Sequence, residues 1–171
     1  MDETTVSLHP PLRRCWMRRG QRKRIPAPGS PRYRHVFGAL NWRTQNVDWI
    51  TADRKNTDSF IAFLEHLLTT CYPTQRLVLV LDNASYHKSY AALATLSLFQ
   101  DRLQVIWLPK YCPYLNPIER FWLQLKNRTS VNQLHLDLGK LEAAITYAVG
   151  NQNTPGHPAR LELQDHFRRI A

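Results

Sequence analysis

Two stretches concentrate the side chains able to do chemistry. Asp82-Asn83-Ala84-Ser85-Tyr86-His87 follows the apolar run Leu77 to Leu81, and Pro109 to Glu119 follows the apolar run Leu103 to Leu108. A third acid, Asp2, heads the segment Asp2 to Leu8. A carboxylate at the end of a buried run is costly to leave alone, so Asp82 needs a partner, a metal ion or water. Hard divalent cations are held by a few carboxylates, with water and substrate phosphate completing the shell. Two such ions about 4 Å apart activate the attacking oxygen and stabilise the leaving one in phosphoryl transfer. Asp2, Asp82 and Glu119 are therefore candidate metal ligands. Each also has a structural reading: Asp82 as a cap of the next element, Glu119 as a capping-box acid three residues after Asn116, and Asp2 as an exposed terminal acid.

The elements that must position these acids can be read from the flanking pattern. Leu77-Val78-Leu79-Val80-Leu81 is short, bounded and β-branched, which predicts a strand buried on both faces, with Asp82 at its carboxyl edge. Asn116 as N-cap and Pro117 at the first helical position predict a helix to about Thr129, with Ile118, Phe121, Trp122 and Leu125 on its apolar face. Asp2 to Leu8 reads as a strand with Asp2, Thr4, Val6 and Leu8 on one face. His35 to Trp42 and Asn46 to Ala52 read as a hairpin. Phe60, Ile61, Leu64, Leu67, Leu68 and Cys71 share one face of a helix capped among Asn56, Thr57 and Asp58. His87 to Phe99 and Leu138 to Val149 predict further helices. The expected organisation is one domain over 1–150 and a C-terminal tail over 151–171 carrying one short helix from Pro158 to Ile170. A nucleotide-binding reading of the strand that ends in Asp82 requires a G-x-x-x-x-G-K-[ST] loop, which the 171 residues do not contain.

Charge points to the partner. Lys and Arg total 23 against 13 Asp and Glu, a formal net charge of +10, which favours a polyanion and nucleic acid before membrane. Between Pro11 and Arg34 stand Arg13, Arg14, Arg18, Arg19, Arg22, Lys23, Arg24, Arg32 and Arg34 with no acid. The prolines there disfavour regular structure. This 9–34 segment reads either as a solvated loop or as an arm along phosphates, with Trp16 and Tyr33 available to stack. Three cysteines without a CxxC pair suit reduced thiols in a cytoplasmic setting. No apolar run approaches the length of a membrane span.

Leu81 to Ser89 (L-D-N-A-S-Y-H-K-S) and Leu108 to Lys126 (L-P-K-Y-C-P-Y-L-N-P-I-E-R-F-W-L-Q-L-K) together resemble the catalytic domain of mariner-like DDE transposases, and more narrowly their bacterial insertion-sequence relatives. The 36 residues between Asp82 and Glu119 agree with that spacing, and Asp2-Glu3 followed by Trp16 and Gly20 resembles the first-strand motif. The resemblance implies an α/β, RNase H-like fold with a mixed central sheet flanked by helices. It implies that Asp2, Asp82 and Glu119 are catalytic and bind two Mg²⁺ ions, with Mn²⁺ as a substitute. Metal-dependent DNA strand cleavage and strand transfer are the activity it implies. Double-stranded DNA at transposon ends and target, and a homodimer on DNA, are the expected partners. Asn83, His87 and Asn116 become site-supporting residues; Asn83 and His87 would orient the Asp82 loop or a phosphate, with a plain structural role the alternative for His87. Arg13, Arg14, Arg18, Arg19, Arg22, Lys23, Arg24, Lys110 and Lys126 become the DNA-contacting set.

Two features depart from that family pattern. No helix-turn-helix region precedes the catalytic stretch, and only Met1 precedes Asp2. The expectation is a split-frame product or a truncated form. The rival readings are a non-catalytic DNA-binding or dimerisation remnant, and a structure-selective nuclease on the same fold.

Overall fold

Three strands near the N-terminus pair because their alternating residues need cover on two sides. The computed structural model describes residues 1–22, 24–26, 29, 31–110 and 112–162. In it β1 (Asp2–Ser7) runs antiparallel to β2 (Tyr33–Leu40), which runs antiparallel to β3 (Val47–Ala52). β4 (Leu77–Leu81) and β5 (Leu103–Trp107) form a separate parallel ladder. Between them lie α1 (Thr57–His66) and α2 (Tyr90–Leu98); α3 (Ile118–Thr129) and α4 (Leu138–Asn153) come after β5. The antiparallel and parallel ladders are two separate hydrogen-bonded sets, and the bond from the Met1 amine to Val80 O, 2.9 Å, spans the seam between β1 and β4. That amine is buried, and burial lowers its proton affinity.

Alternation along the strands sorts the core into two layers. Phe37 of β2 and Leu79 and Leu81 of β4 face Phe60, Phe63 and Leu64 of α1. Val36 of β2, Val6 and Leu8 face Phe121, Trp122 and Leu125 of α3 and Leu141 and Ile145 of α4. Helices thus flank the sheet on both sides, but unevenly, because α3 and α4 pack on β1, β2 and β3. Val78 and Val80 are 60% and 36% exposed. This corrects the expectation that β4 is buried on both faces: among the described residues, no layer covers its second face.

The helix ends reflect local chemistry. Asn56 caps α1 by accepting from Ser59 N, Ser89 caps α2 by accepting from Ala92 N, and Asp137 caps α4 by accepting from Lys140 N. α1 continues through a wide turn over Leu67–Cys71, closed by Tyr72 N donating to Leu67 O. The cap expected at α3 differs. The Asn116 side chain makes no cap; its amide donates to Met1 O at 3.4 Å, while its backbone carbonyl accepts from Glu119 N. The capping-box reading of Glu119 fails with it. Residues 158–162 are not helical, and the rest of the expected C-terminal helix lies outside the described residues.

Gly38 is a point of close approach between β2 and α3. It pairs with Asp2 across the sheet, and a Cβ there would lie 2.5 Å from the Trp122 ring. Gly38→Ala is therefore expected to destabilise the chain by about 1–3 kcal/mol through overpacking. Urea unfolding checks this; a midpoint equal to that of the parent chain would show that the ring moves freely.

Candidate active site

Three elements converge on one open cavity of about 420 Å³, lined among others by Asp2, Asp82, Asn83, Lys110, Asn116 and Glu119. Asp2 comes from the start of β1, Asp82 from the residue after β4, and Glu119 from the first turn of α3. The three sequence-predicted ligands are thus brought together at one cleft. They line it as an open set: among the described residues no three His, Cys, Asp or Glu side chains stand at closed metal-ligand spacing. Such an open arrangement of hard oxygen donors fits a cation that keeps several waters and shares a phosphate oxygen, as Mg²⁺ does.

Each acid is held differently. Asp2 is buried, and its Oδ2 accepts from Trp122 Nε1 at 3.0 Å. Burial first, then the negative charges of Glu119 and Glu3, push its carboxyl up to about 7. Asp82 is half exposed. The His87 contact chiefly, helped by the Ala84 amide, which Oδ1 accepts at 3.0 Å, holds its carboxyl below the usual range against partial desolvation. That local turn differs from the cap expected of Asp82: Ala84 stands at the N-cap of the short helix Ser85–Lys88, and no side chain caps it. Glu119 is exposed, and no described side chain hydrogen-bonds its carboxylate.

The supporting residues are tied into the walls. Asn83 donates to Leu108 O and accepts from Lys88 Nζ, both at 2.5 Å, so it joins the loops after β4 and β5. His87 is fully buried between the rings of Phe60 and Tyr86. Its Nε2 lies 2.7 Å from Glu3 Oε1 and its Nδ1 lies 2.9 Å from Asp82 Oδ1. The second contact is a charge pair whose N–H points off the line to the oxygen. Burial opposes the charged imidazole, but Asp82 and Glu3 outweigh it and push His87 up to about 9. Glu3 in turn accepts from the Tyr86 hydroxyl at 2.5 Å and lies 3.5 Å from Lys55 Nζ. These partners overcome desolvation and hold its carboxyl below the usual range.

The basic segment is largely exposed, with Arg14, Arg18, Arg19, Arg22 and Arg24 in water and Trp16 fully so. Arg13 is docked: its Nη1 donates to Asn127 near the C-terminal end of α3, and its backbone amide donates to Asn132 just beyond it. Arg34 lies on β2 and is paired with Asp53 and Glu142, so it is structural. Lys110 sits on the cavity rim and Lys126 on α3, while Lys23 lies outside the described residues.

A family model described as DDE superfamily endonuclease matches residues 1–142. The chain belongs to this family. It is 31% identical over 131 residues to an insertion element IS630 uncharacterized 39 kDa protein of Shigella sonnei, covering 77% of this chain and 38% of that relative. Its structure superposes on the Mos1 transposase of a paired-end complex with the left transposon end, with a TM-score of 0.70, 14% identity, and coverage of 99% of this chain and 50% of that one. A simian T-cell lymphotropic virus intasome chain gives 0.57 at 16% identity, covering 79% of this chain and 49% of that one. The chain thus spans 38% of the curated relative and about half of the solved structures it matches. The shared architecture is the RNase H-like fold. No helix among the described residues is long and apolar enough to cross a membrane.

In this member of the DDE endonuclease family the motif residues occupy one site, and Glu3, Tyr86, Lys55 and Trp122 are the members that sequence reading missed. Strand alternation was the available signal for Glu3, since neighbours on a strand face opposite layers.

The site carries a pH signature. A carboxyl raised from its usual value to about 7 binds its proton more tightly when folded. Stability therefore falls as pH rises through that window, and a divalent cation beside Asp2 offsets the loss. Mn²⁺ is expected to raise the melting temperature more at about pH 8 than at about pH 5, and Asp2→Asn to erase the difference. Equal shifts at both pH values in the parent chain would place the cation elsewhere.

Proposed function

We propose that this chain is the catalytic domain of a DDE transposase that cleaves DNA strands and transfers them in a metal-dependent reaction. The observation that carries this reading is the convergence of Asp2, Asp82 and Glu119 on one open cleft, with Asp2 and Glu119 close enough to repel. Burial and the negative charges of Glu119 and Glu3 raise the proton affinity of Asp2, a poor resting arrangement without a cation, and perturbed groups of this kind gather at functional sites.

In this reading Asp2, Asp82 and Glu119 hold two divalent ions, Mg²⁺ or Mn²⁺. Bound there, the ions supply Lewis-acid activation of the attacking oxygen and charge neutralisation at the leaving one. The protein's own part is placement. Trp122 fixes one oxygen of Asp2, the Ala84 amide and His87 fix one oxygen of Asp82, and Asn83 braces the two loops that wall the cleft. Lys110 on the rim and the exposed arginines from Arg14 to Arg24 bind the DNA backbone. Water and then a DNA 3′-hydroxyl are the attacking groups, and a homodimer on DNA is the working assembly in this reading.

A second reading, a DNA-binding remnant without cleavage, is favoured by one observation: Glu119 is exposed, and no described side chain holds its carboxylate toward the cleft. Nicking of supercoiled plasmid separates the two. Metal-dependent nicking that disappears in Asp82→Asn or Glu119→Gln, with DNA binding retained, is the expected result. DNA binding without nicking in the parent chain would leave the remnant reading standing.

Salt tests the basic arm. If about six of its cations meet phosphates, affinity for DNA should fall on the order of 10³-fold between about 50 and 200 mM salt. Neutralising Arg18, Arg19, Arg22 and Lys23 together should flatten that slope. An unchanged slope would remove the arm from the interface.

A further inference from the structure

We propose that Glu3 is a positioning residue for the site, acting through His87 to hold Asp82 at the cleft. The proposal rests on the metal-site reading above and assigns a role to an acid that the motif alone leaves beside Asp2. Glu3 and Asp2 are neighbours on β1, so their side chains leave the strand on opposite faces. Asp2 turns to Trp122 of α3, and Glu3 turns to His87 in the layer beneath α1.

The Glu3 side chain is completely buried, as is that of His87. A buried carboxylate persists only when its oxygens are satisfied, and both oxygens are: Oε1 by His87 Nε2, and Oε2 by the Tyr86 hydroxyl and the Lys55 ammonium. His87 is clamped by the Phe60 ring, centroids 4.5 Å apart, so its second nitrogen has a fixed direction. That nitrogen lies 2.9 Å from Asp82 Oδ1, the oxygen already bound to the Ala84 amide. With Oδ1 held on the protein side, Oδ2 is the oxygen left for the cleft. A carboxylate–histidine–carboxylate chain of this kind orients a metal ligand from outside the coordination shell, and loss of such partners typically costs 10–100-fold in metal affinity or activity.

The chain also sets a distance. β1 and β4 belong to separate ladders, and the Glu3–His87–Asp82 contacts cross between them beside the Asp2 backbone. Glu3 therefore fixes where the second acid stands relative to the first.

Two pairs of variants test this by Mn²⁺ titration calorimetry and plasmid nicking, with melting temperature as the folding control. Glu3→Gln removes the charge that holds His87 and is expected to weaken Mn²⁺ binding about 10–100-fold and nicking to a similar degree, with DNA affinity unchanged. His87→Asn keeps a donor where Nδ1 stood, and His87→Gln keeps one where Nε2 stood. The proposal requires Asn to retain more Mn²⁺ affinity than Gln, whereas a purely structural imidazole predicts equal losses from both. A folded Glu3→Gln with parental Mn²⁺ affinity overturns the proposal. If Glu3→Gln does not fold, the ranking of the two His87 variants decides, and Gln equal to or better than Asn overturns it. Asp82→Asn separates the two levels: unchanged Mn²⁺ binding in that variant sinks the metal-site reading itself. Loss in Asp82→Asn without loss in Glu3→Gln sinks only the positioning role.

Discussion

The fully buried charge contact between Glu3 and His87 is the constraint on which the rest of this site depends. Two acids from different ladders must face one cleft, yet the ladders share little backbone pairing at their junction. Side chains supply what backbone bonding does not. An ionised carboxylate and an imidazolium that are both out of water hold each other strongly, because removing either strands the other. The cost of burying them is offset by the Tyr86 hydroxyl, the Lys55 ammonium and the rings that close around His87. Both Glu3 oxygens under the cleft are thus satisfied, while the cleft itself is left short of positive charge.

That contrast explains the electrostatics of the three acids. Asp82 and Glu3 lie against a cation of the protein and are held in their charged forms. Asp2 is buried beside two negative neighbours, which outweigh the nearby amine, so it holds its proton to about 7. One acid is thereby left dependent on whatever enters the cavity. Lys110, on the loop after β5, adds positive charge at the cavity rim rather than at its floor.

Much of this could be read from the residues. The Leu77–Leu81 run announced its strand because it is short and β-branched, and the Ile118, Phe121, Trp122, Leu125 spacing announced the helix carrying Glu119. What failed did so for identifiable reasons. An apolar run does not reveal whether one layer or two will cover it, so the exposure of Val78 and Val80 was hidden. Asn116 has the residue type of a cap, but its amide is drawn to the Met1 carbonyl, a contact between residues far apart in the chain. Arg34 looked like one more cation of the arm, and only the fold brings Asp53 and Glu142 to it. Glu3 was visible as half of an acidic pair, and the alternation that separates the pair needed the strand's surroundings to become meaningful.

The register of β1 therefore encodes chemistry as well as packing. Asp2 stands opposite Gly38 and Glu3 opposite Phe37. A slip of one residue against β2 would turn each side chain to the other layer. The longer acid would then crowd the indole of Trp122, and the shorter one would fall a methylene short of the buried imidazole. The glycine that admits the indole, and the phenylalanine seated in the opposite layer, both resist that slip. Strand pairing here works as a lock on which of two adjacent acids meets the cleft, so errors of register during folding would yield a well-formed sheet around a dead centre.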